Sequence, residues 1–200
     1  MSARIAAIRI GGQRIILDQP GVPVALELEL ADAVIASAAA APPNDLVLGQ
    51  KVPPKPEVQI CGAIVKPVQR SDPRFATLVR NDNADIVFKN EEGTNADRMM
   101  TAPLQTKLDA LAASVRAEWS DRRLRVTEAW DENGEHAAGS LHYEGRAADI
   151  TTDPIDNTKL GRLGRLAVDA GLDWVFYENA RHVHVSVKSG PEQRSGKREP

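Results

Sequence analysis

The stretch Ser140–Thr151, "SLHYEGRAADIT", sets His142 seven positions before Asp149, with Gly145 between them. Glycine accepts the backbone conformations of a tight turn, and the apolar and β-branched residues around Asp149 suit a strand. The pattern predicts a loop that turns at Gly145 and enters a strand holding Asp149 rigidly. An imidazole nitrogen and a carboxylate oxygen are then both available to a metal. A lone His–Asp pair is common in surface loops, so a metal site needs a third ligand.

That ligand is offered by Arg181–Lys188, "RHVHVSVK". Strand alternation puts His182, His184 and Ser186 on one face and Val183, Val185 and Val187 on the other, so the histidines leave the core. Taken alone, this is an edge strand with two exposed imidazoles. Joined to His142 and Asp149, His184 completes two imidazoles and a carboxylate, a common zinc set with one position left open. Glu178 ends the preceding strand pattern, "WVFYE", where it can approach a bound water as a base. The helical His-Glu-x-x-His pair of many zinc peptidases is absent from the sequence.

The chain has 200 residues, 42% hydrophobic and 26% charged, enough for one full core with an appendage or for two small domains. Twenty-eight acids against 25 bases give a net charge of -3 and a pI near 5.8, which argues against a general nucleic-acid or anionic-membrane surface. The single Cys61 forms no intramolecular disulfide, so the fold depends on its core or on metals. Charged residues and glycines interrupt every apolar run, so neither a signal peptide's apolar region nor a membrane span is expected.

Two β-branched runs around Gly11 and Gly12 predict a hairpin over residues 4–17, and alternation in Val24–Leu30, "VALELEL", predicts a third strand. These belong to a β-rich segment over 1–41. An Ala- and Pro-rich stretch over 42–57 reads as an extended linker, followed by the main domain over 58–188. In that domain Leu104, Leu108, Leu111, Val115 and Trp119 form one helical stripe with Pro103 in the first turn. "LRVTEAW" reads as a strand, and Leu160, Leu163, Ala167 and Ala170 lie on one face of a helix that Gly171 terminates. "WVFYE" and "HVHVSVK" close the domain, and the polar tail over 189–200 reads as disordered. The fold class is α+β, a sandwich of sheet and helices.

Three ordered stretches, "NEEGTNADRMMT" (Asn90–Thr101), "LRVTEAWDENGEHAAGSLHYEGRAADITT" (Leu124–Thr152) and "LGRLAVDAGLDWVFYENARHVHVSVK" (Leu163–Lys188), closely resemble the amino-terminal signalling domain of Hedgehog proteins. The resemblance runs from about Gln59 to Lys188 and is weaker through "SDPRFATLVRNDNADIVFKNEE". That domain is similar in fold to zinc D-alanyl-D-alanine carboxypeptidases, whose SxHxxGxAxD pattern is matched by Ser140, His142, Gly145, Ala147 and Asp149. The resemblance implies zinc ligation by His142, Asp149 and His184. It also implies a catalytic-base-like position at Glu178, an active-site histidine at His136, and a further histidine beside the cleft at His182.

A second set of acids, Glu91, Glu92, Asp97, Glu128 and Asp131, lies in two loops that would repel if brought together. Calcium, which takes six to eight oxygen ligands, would convert that repulsion into coordination. On composition alone they are two solvated loops; the Hedgehog resemblance implies a paired calcium site there. Asn133 stands where animal relatives carry another aspartate, which removes one charge. The lipidated amino-terminal cysteine, the self-cleaving domain and the basic heparan-binding segment of animal relatives have no counterpart in this sequence. Alanine and arginine usage suits a bacterial relative.

Three function classes follow. The first is a zinc peptidase acting on peptides, including cell-wall peptides of peptidoglycan, with Glu178 as general base and His136 and His182 stabilising the oxyanion. The second is a calcium-regulated module that captures a protein ligand at the zinc cleft, and the third is a structural metal domain. The calcium site suits a secreted or cell-surface setting.

Overall fold

The computed structural model describes residues 44–190 together with strands β1 (Ala7–Ile10) and β2 (Gln13–Ile16). The chain divides after Pro43 into two compact units. In the first, β1 and β2 pair antiparallel with Ile8 opposite Ile15, as the Gly-centred hairpin pattern predicts. The strand expected at Val24–Leu30 and the tail beyond residue 190 lie outside the described residues.

The second unit is built on a six-stranded sheet. Its strands are β3 (Lys51–Val52), β5 (Ile86–Phe88), β7 (Arg123–Glu128), β8 (Ala147–Asp153), β9 (Trp174–Phe176) and β10 (Val183–Ser186), in the order β3-β9-β10-β8-β7-β5. All neighbours are antiparallel except β5 and β7. A parallel pair needs a long crossover. It is supplied by β6 (Met99–Thr101), which pairs with β4 (Leu78–Arg80), and by helix α2 (Ala102–Glu118). The α+β class read from the sequence is the observed one.

One sheet face packs on α2 and on helix α3 (Leu160–Asp169). The stripe Leu104, Leu108, Leu111 and Val115 meets Leu124, Val126, Ile150, Val183, Val185 and Leu163, all fully buried. The opposite face carries Trp174, Phe176 and Ala147 under the short helix α1 (Glu57–Cys61). The strand registers draw one line across it: Lys51 faces Phe176, Phe176 faces His184, His184 faces Asp149, and Asp149 faces Glu128. The candidate-site residues carried by the strands, His184, Asp149 and Glu128, all belong to that line.

The linker expected over 42–57 is a correction. From Asn44 onward it is part of the fold. Leu46 is buried in the main core, Lys51 and Val52 form the sheet's edge strand, and Leu46 N–H donates to Gly161 O at 3.0 Å. The helix accepts this strap because α3 presents glycine there. A Cβ at Gly161 would stand 2.4 Å from Leu46 O, and one at Gly164 would press on the Leu46 side chain. Gly161→Ala must therefore displace backbone, not a flexible side chain. We expect a loss of roughly 1–3 kcal/mol, the usual range for overpacking, read as a lowered denaturation midpoint. An unchanged midpoint would detach residues 44–50 from α3.

Candidate metal centre

Gly145 holds the turn. It adopts φ +64° after a short 3-10 helix, Leu141–Glu144, capped by the Ser140 hydroxyl. A Cβ there would lie 3.2 Å from the Met100 Cα, so both the handedness and the close approach favour glycine. His142 is thereby buried completely, with Nδ1 2.7 Å from the Ala129 carbonyl. A carbonyl only accepts, so Nδ1 carries the proton and Nε2 presents its lone pair to the site.

His142 Nε2 lies 3.3 Å from His184 Nδ1 and 3.5 Å from Asp149 Oδ1, and the latter two atoms are 3.0 Å apart. Zinc bonds of 2.0–2.1 Å at tetrahedral angles put ligand atoms about 3.3 Å apart. The three groups therefore fit one zinc ion in donor type and spacing. Glu178 Oε2 is 2.9 Å from His182 Nε2, which is itself 3.5 Å from Asp149 Oδ2. The His136 ring stacks on His142 at 4.1 Å between centroids, and its Nδ1 is 2.8 Å from Asp131 Oδ2. Asp149, Glu178 and His182 also offer ligand atoms within 4.8 Å of one another, as do His136, His142 and Asp149. All six zinc-side residues named from the sequence thus share one neighbourhood.

Burial holds the His142 pKa below the ordinary histidine value. Burial would also raise Asp149, but its hydrogen bonds and charge interactions with His142 and His184 outweigh that and keep it well below the usual carboxylate range. Burial would lower His184, yet hydrogen bonds to Asp149 and Glu57 win and push it up to about 10. Sequence reasoning missed Glu57 altogether. Its Oε1 is 2.8 Å from His184 Nε2, but a glutamate at the end of "PPKPE" reads as linker.

The acidic set is only partly assembled. Glu91, Glu92 and Glu128 offer carboxylate oxygens within 4.8 Å of one another, with Lys89 paired to Glu91. Asn90 (φ +49°) and Asn95 (φ +62°) coil the 90–95 loop, and Asn90 Oδ1 accepts from Asn95 N–H at 2.7 Å. Asp97 is buried with one oxygen bonded to Asn90 N–H at 2.7 Å, and its Oδ1 and Glu92 Oε2 are buried without partners. Burial, then the charges of Asp97 and Glu92, push Glu128 up to about 8; burial, then the Glu92 charge, push Asp97 up to about 6. These are the marks of acids held together against their repulsion, and their donor chemistry fits calcium.

Asp131 and Asn133, expected among the same ligands, are placed differently. Asp131 turns both oxygens onto its own loop, accepting from the amides of Asn133, Gly134, Glu135 and His136 at 2.7–3.1 Å. Its oxygens are spent on these short-range donors, an arrangement that an aspartate preceding a glycine turn favours. Asn133 is exposed and lines a groove of about 510 Å³ together with His136, Tyr143 and Ile64. The two clusters still meet through the backbone: Glu128 stands opposite Asp149 in the ladder, Ala129 supplies the carbonyl for His142, and Asp131 holds His136.

A mixed sheet covered by helices, with a His–Asp–His cluster on its open face and carboxylates alongside, defines the class of protein. Residues 37–186 match the Hedgehog amino-terminal signalling domain. The chain belongs to that family. It is 56% identical over 122 residues to Tiggy-winkle hedgehog protein of Danio rerio, covering 61% of this chain and 29% of that protein. Indian hedgehog protein of Gallus gallus is 55% identical over the same length. Protein hedgehog of Drosophila hydei is 51% identical over 146 residues, 72% of this chain and 30% of that protein. The chain thus spans less than a third of these relatives. All three come from animals, so the bacterial source expected from composition finds no support in them. No helix among the described residues is long and apolar enough to cross a membrane.

Proposed function

We propose that this domain is a zinc peptidase whose site is tuned by calcium bound at the neighbouring acids. The observation that carries the reading is the convergence of His142 Nε2, Asp149 Oδ1 and His184 Nδ1 within 3.5 Å, with Glu178 and His136 beside them and a groove next to His136. His142, Asp149 and His184 would hold the zinc, which when bound supplies a Lewis acid for a carbonyl and an acidified water. Glu178 accepts the proton of the attacking water and returns it to the leaving amine. His182, hydrogen-bonded to Glu178, keeps that carboxylate oriented. His136, fixed by Asp131, donates toward the oxyanion. Likeness to the D-alanyl-D-alanine carboxypeptidases makes peptidoglycan peptides the first substrates to try, alongside protein peptides.

A second reading is favoured by the family description itself, a signalling domain. On that reading the same metal cleft captures a loop of a protein ligand without turnover. Calcium affinity in the range of extracellular modules would suit either role outside the cell. Incubation of the zinc-loaded protein with peptidoglycan fragments and a peptide library, followed by mass spectrometry, separates the two. Cleaved products support the peptidase; metal-dependent capture of a partner with no cleavage supports the binding module.

A further inference from the structure

Helix α1 lies across the open face of β10 and makes two side-chain contacts there, one helical turn apart. Glu57, in its first turn, reaches His184; Cys61, four residues on, places Sγ 3.4 Å from Ser186 Oγ. His184 and Ser186 are alternate residues of β10 and so face the same way. Glu57 Oε1 meets His184 at Nε2, the ring nitrogen opposite the one that faces His142 and Asp149. Glu57 is therefore on the wrong side of the imidazole to ligate the ion itself.

We infer that Glu57 is a positioning residue of the metal centre, holding His184 in the tautomer and ring orientation that turn Nδ1 toward the ion. This rests on the zinc reading proposed above. A carboxylate accepts only, so Nε2–H donates to Glu57; Nδ1 faces a second carboxylate, Asp149 Oδ1 at 3.0 Å, and a bound metal would take the place of a proton there while Glu57 keeps the one on Nε2. Such outer carboxylates also make the histidine a stronger donor. His142 receives the same service from a neutral carbonyl, that of Ala129; His184 receives it from an anion carried by the strap. The strap that looks like a linker thus completes the site, and a fragment starting at residue 58 would lack Glu57.

The test is zinc affinity of the full chain by competition with a chromophoric chelator, for wild type, Glu57→Ala, Glu57→Gln and His142→Ala. The visible absorption of the cobalt-substituted proteins is recorded in parallel. Glu57→Ala is expected to weaken zinc by about 10- to 100-fold, the usual range for losing an outer-shell partner, and to shift the cobalt bands. Glu57→Gln, whose amide oxygen still accepts from Nε2–H, is expected to fall between, with the wild-type band positions largely restored. If Glu57→Ala fails to fold, judged by its melting transition, Glu57→Gln decides. Affinity and cobalt bands in the Glu57 variants equal to wild type, while His142→Ala loses zinc, would overturn the role of Glu57 and leave the zinc site standing. Absence of zinc binding in every protein, wild type included, would overturn both.

Discussion

Replacing Glu178 with glutamine is expected to leave zinc bound and to lower peptide hydrolysis by about 10²- to 10⁴-fold, the range over which a positioned general base contributes. The side chain is exposed at its outer edge and hydrogen-bonded to His182 rather than buried in the ligand cluster. Its amide counterpart nearly preserves volume and can still contact His182. What it loses is the ability to accept a proton. The proposed zinc ligands His142, Asp149 and His184 are untouched, so zinc content measured on the same sample separates a chemical defect from a metal defect. Equal turnover in wild type and Glu178→Gln would remove Glu178 from the mechanism. A wild type that cleaves nothing across wall and protein peptides would move the reading to ligand capture.

The acidic cluster carries the second large effect. Asp97 and Glu128 have pKas raised from 3.8 to about 6 and from 4.5 to about 8. Between the ordinary and the raised values the folded chain binds more protons than the unfolded chain. Stability of calcium-free protein is therefore highest below about pH 4 for this pair, and falls as pH rises through 6 and then 8. Calcium binding to the folded state is expected to reverse the loss. At one hundred times its dissociation constant it adds about 2.7 kcal/mol, or about 5 to 10 °C in melting temperature for a chain of this size. Magnesium should substitute poorly, since it demands a smaller octahedral shell and keeps its waters. Thermal unfolding of chelator-stripped protein across pH, with and without calcium, reads both effects. A melting temperature flat to several millimolar calcium at pH 8 would make these acids a solvated face.

How much of this was legible in the sequence depends on the range of the interaction that places each residue. The α2 stripe and the β10 alternation are local periodicities, and Leu104, Leu108, Leu111, Val115, Val183 and Val185 fall where they predict. Gly145 was readable because a left-handed turn has few alternatives to glycine. The gathering of His142, Asp149 and His184 was readable from residue chemistry and family resemblance together. Leu46, Lys51 and Glu57 were not. Proline-rich context reads as linker, and only the bare backbone of α3 at Gly161 and the free edge of β9 give the strap a place to dock. The bonding of Asp131 was not legible for a related reason. Its carboxylate could face the neighbouring acids or the amides of its own loop, and the loop's donors cost little chain entropy to reach.

The central claim is that one zinc ion is held by His142, Asp149 and His184, and elemental analysis of the purified chain tests it most directly. Zinc would be measured in wild type, His142→Ala and Asp149→Ala after dialysis against metal-free buffer, on samples shown to melt cooperatively. One zinc per wild-type chain, falling to background in both variants, is the predicted result. Zinc content unchanged by either substitution in a folded variant would contradict it.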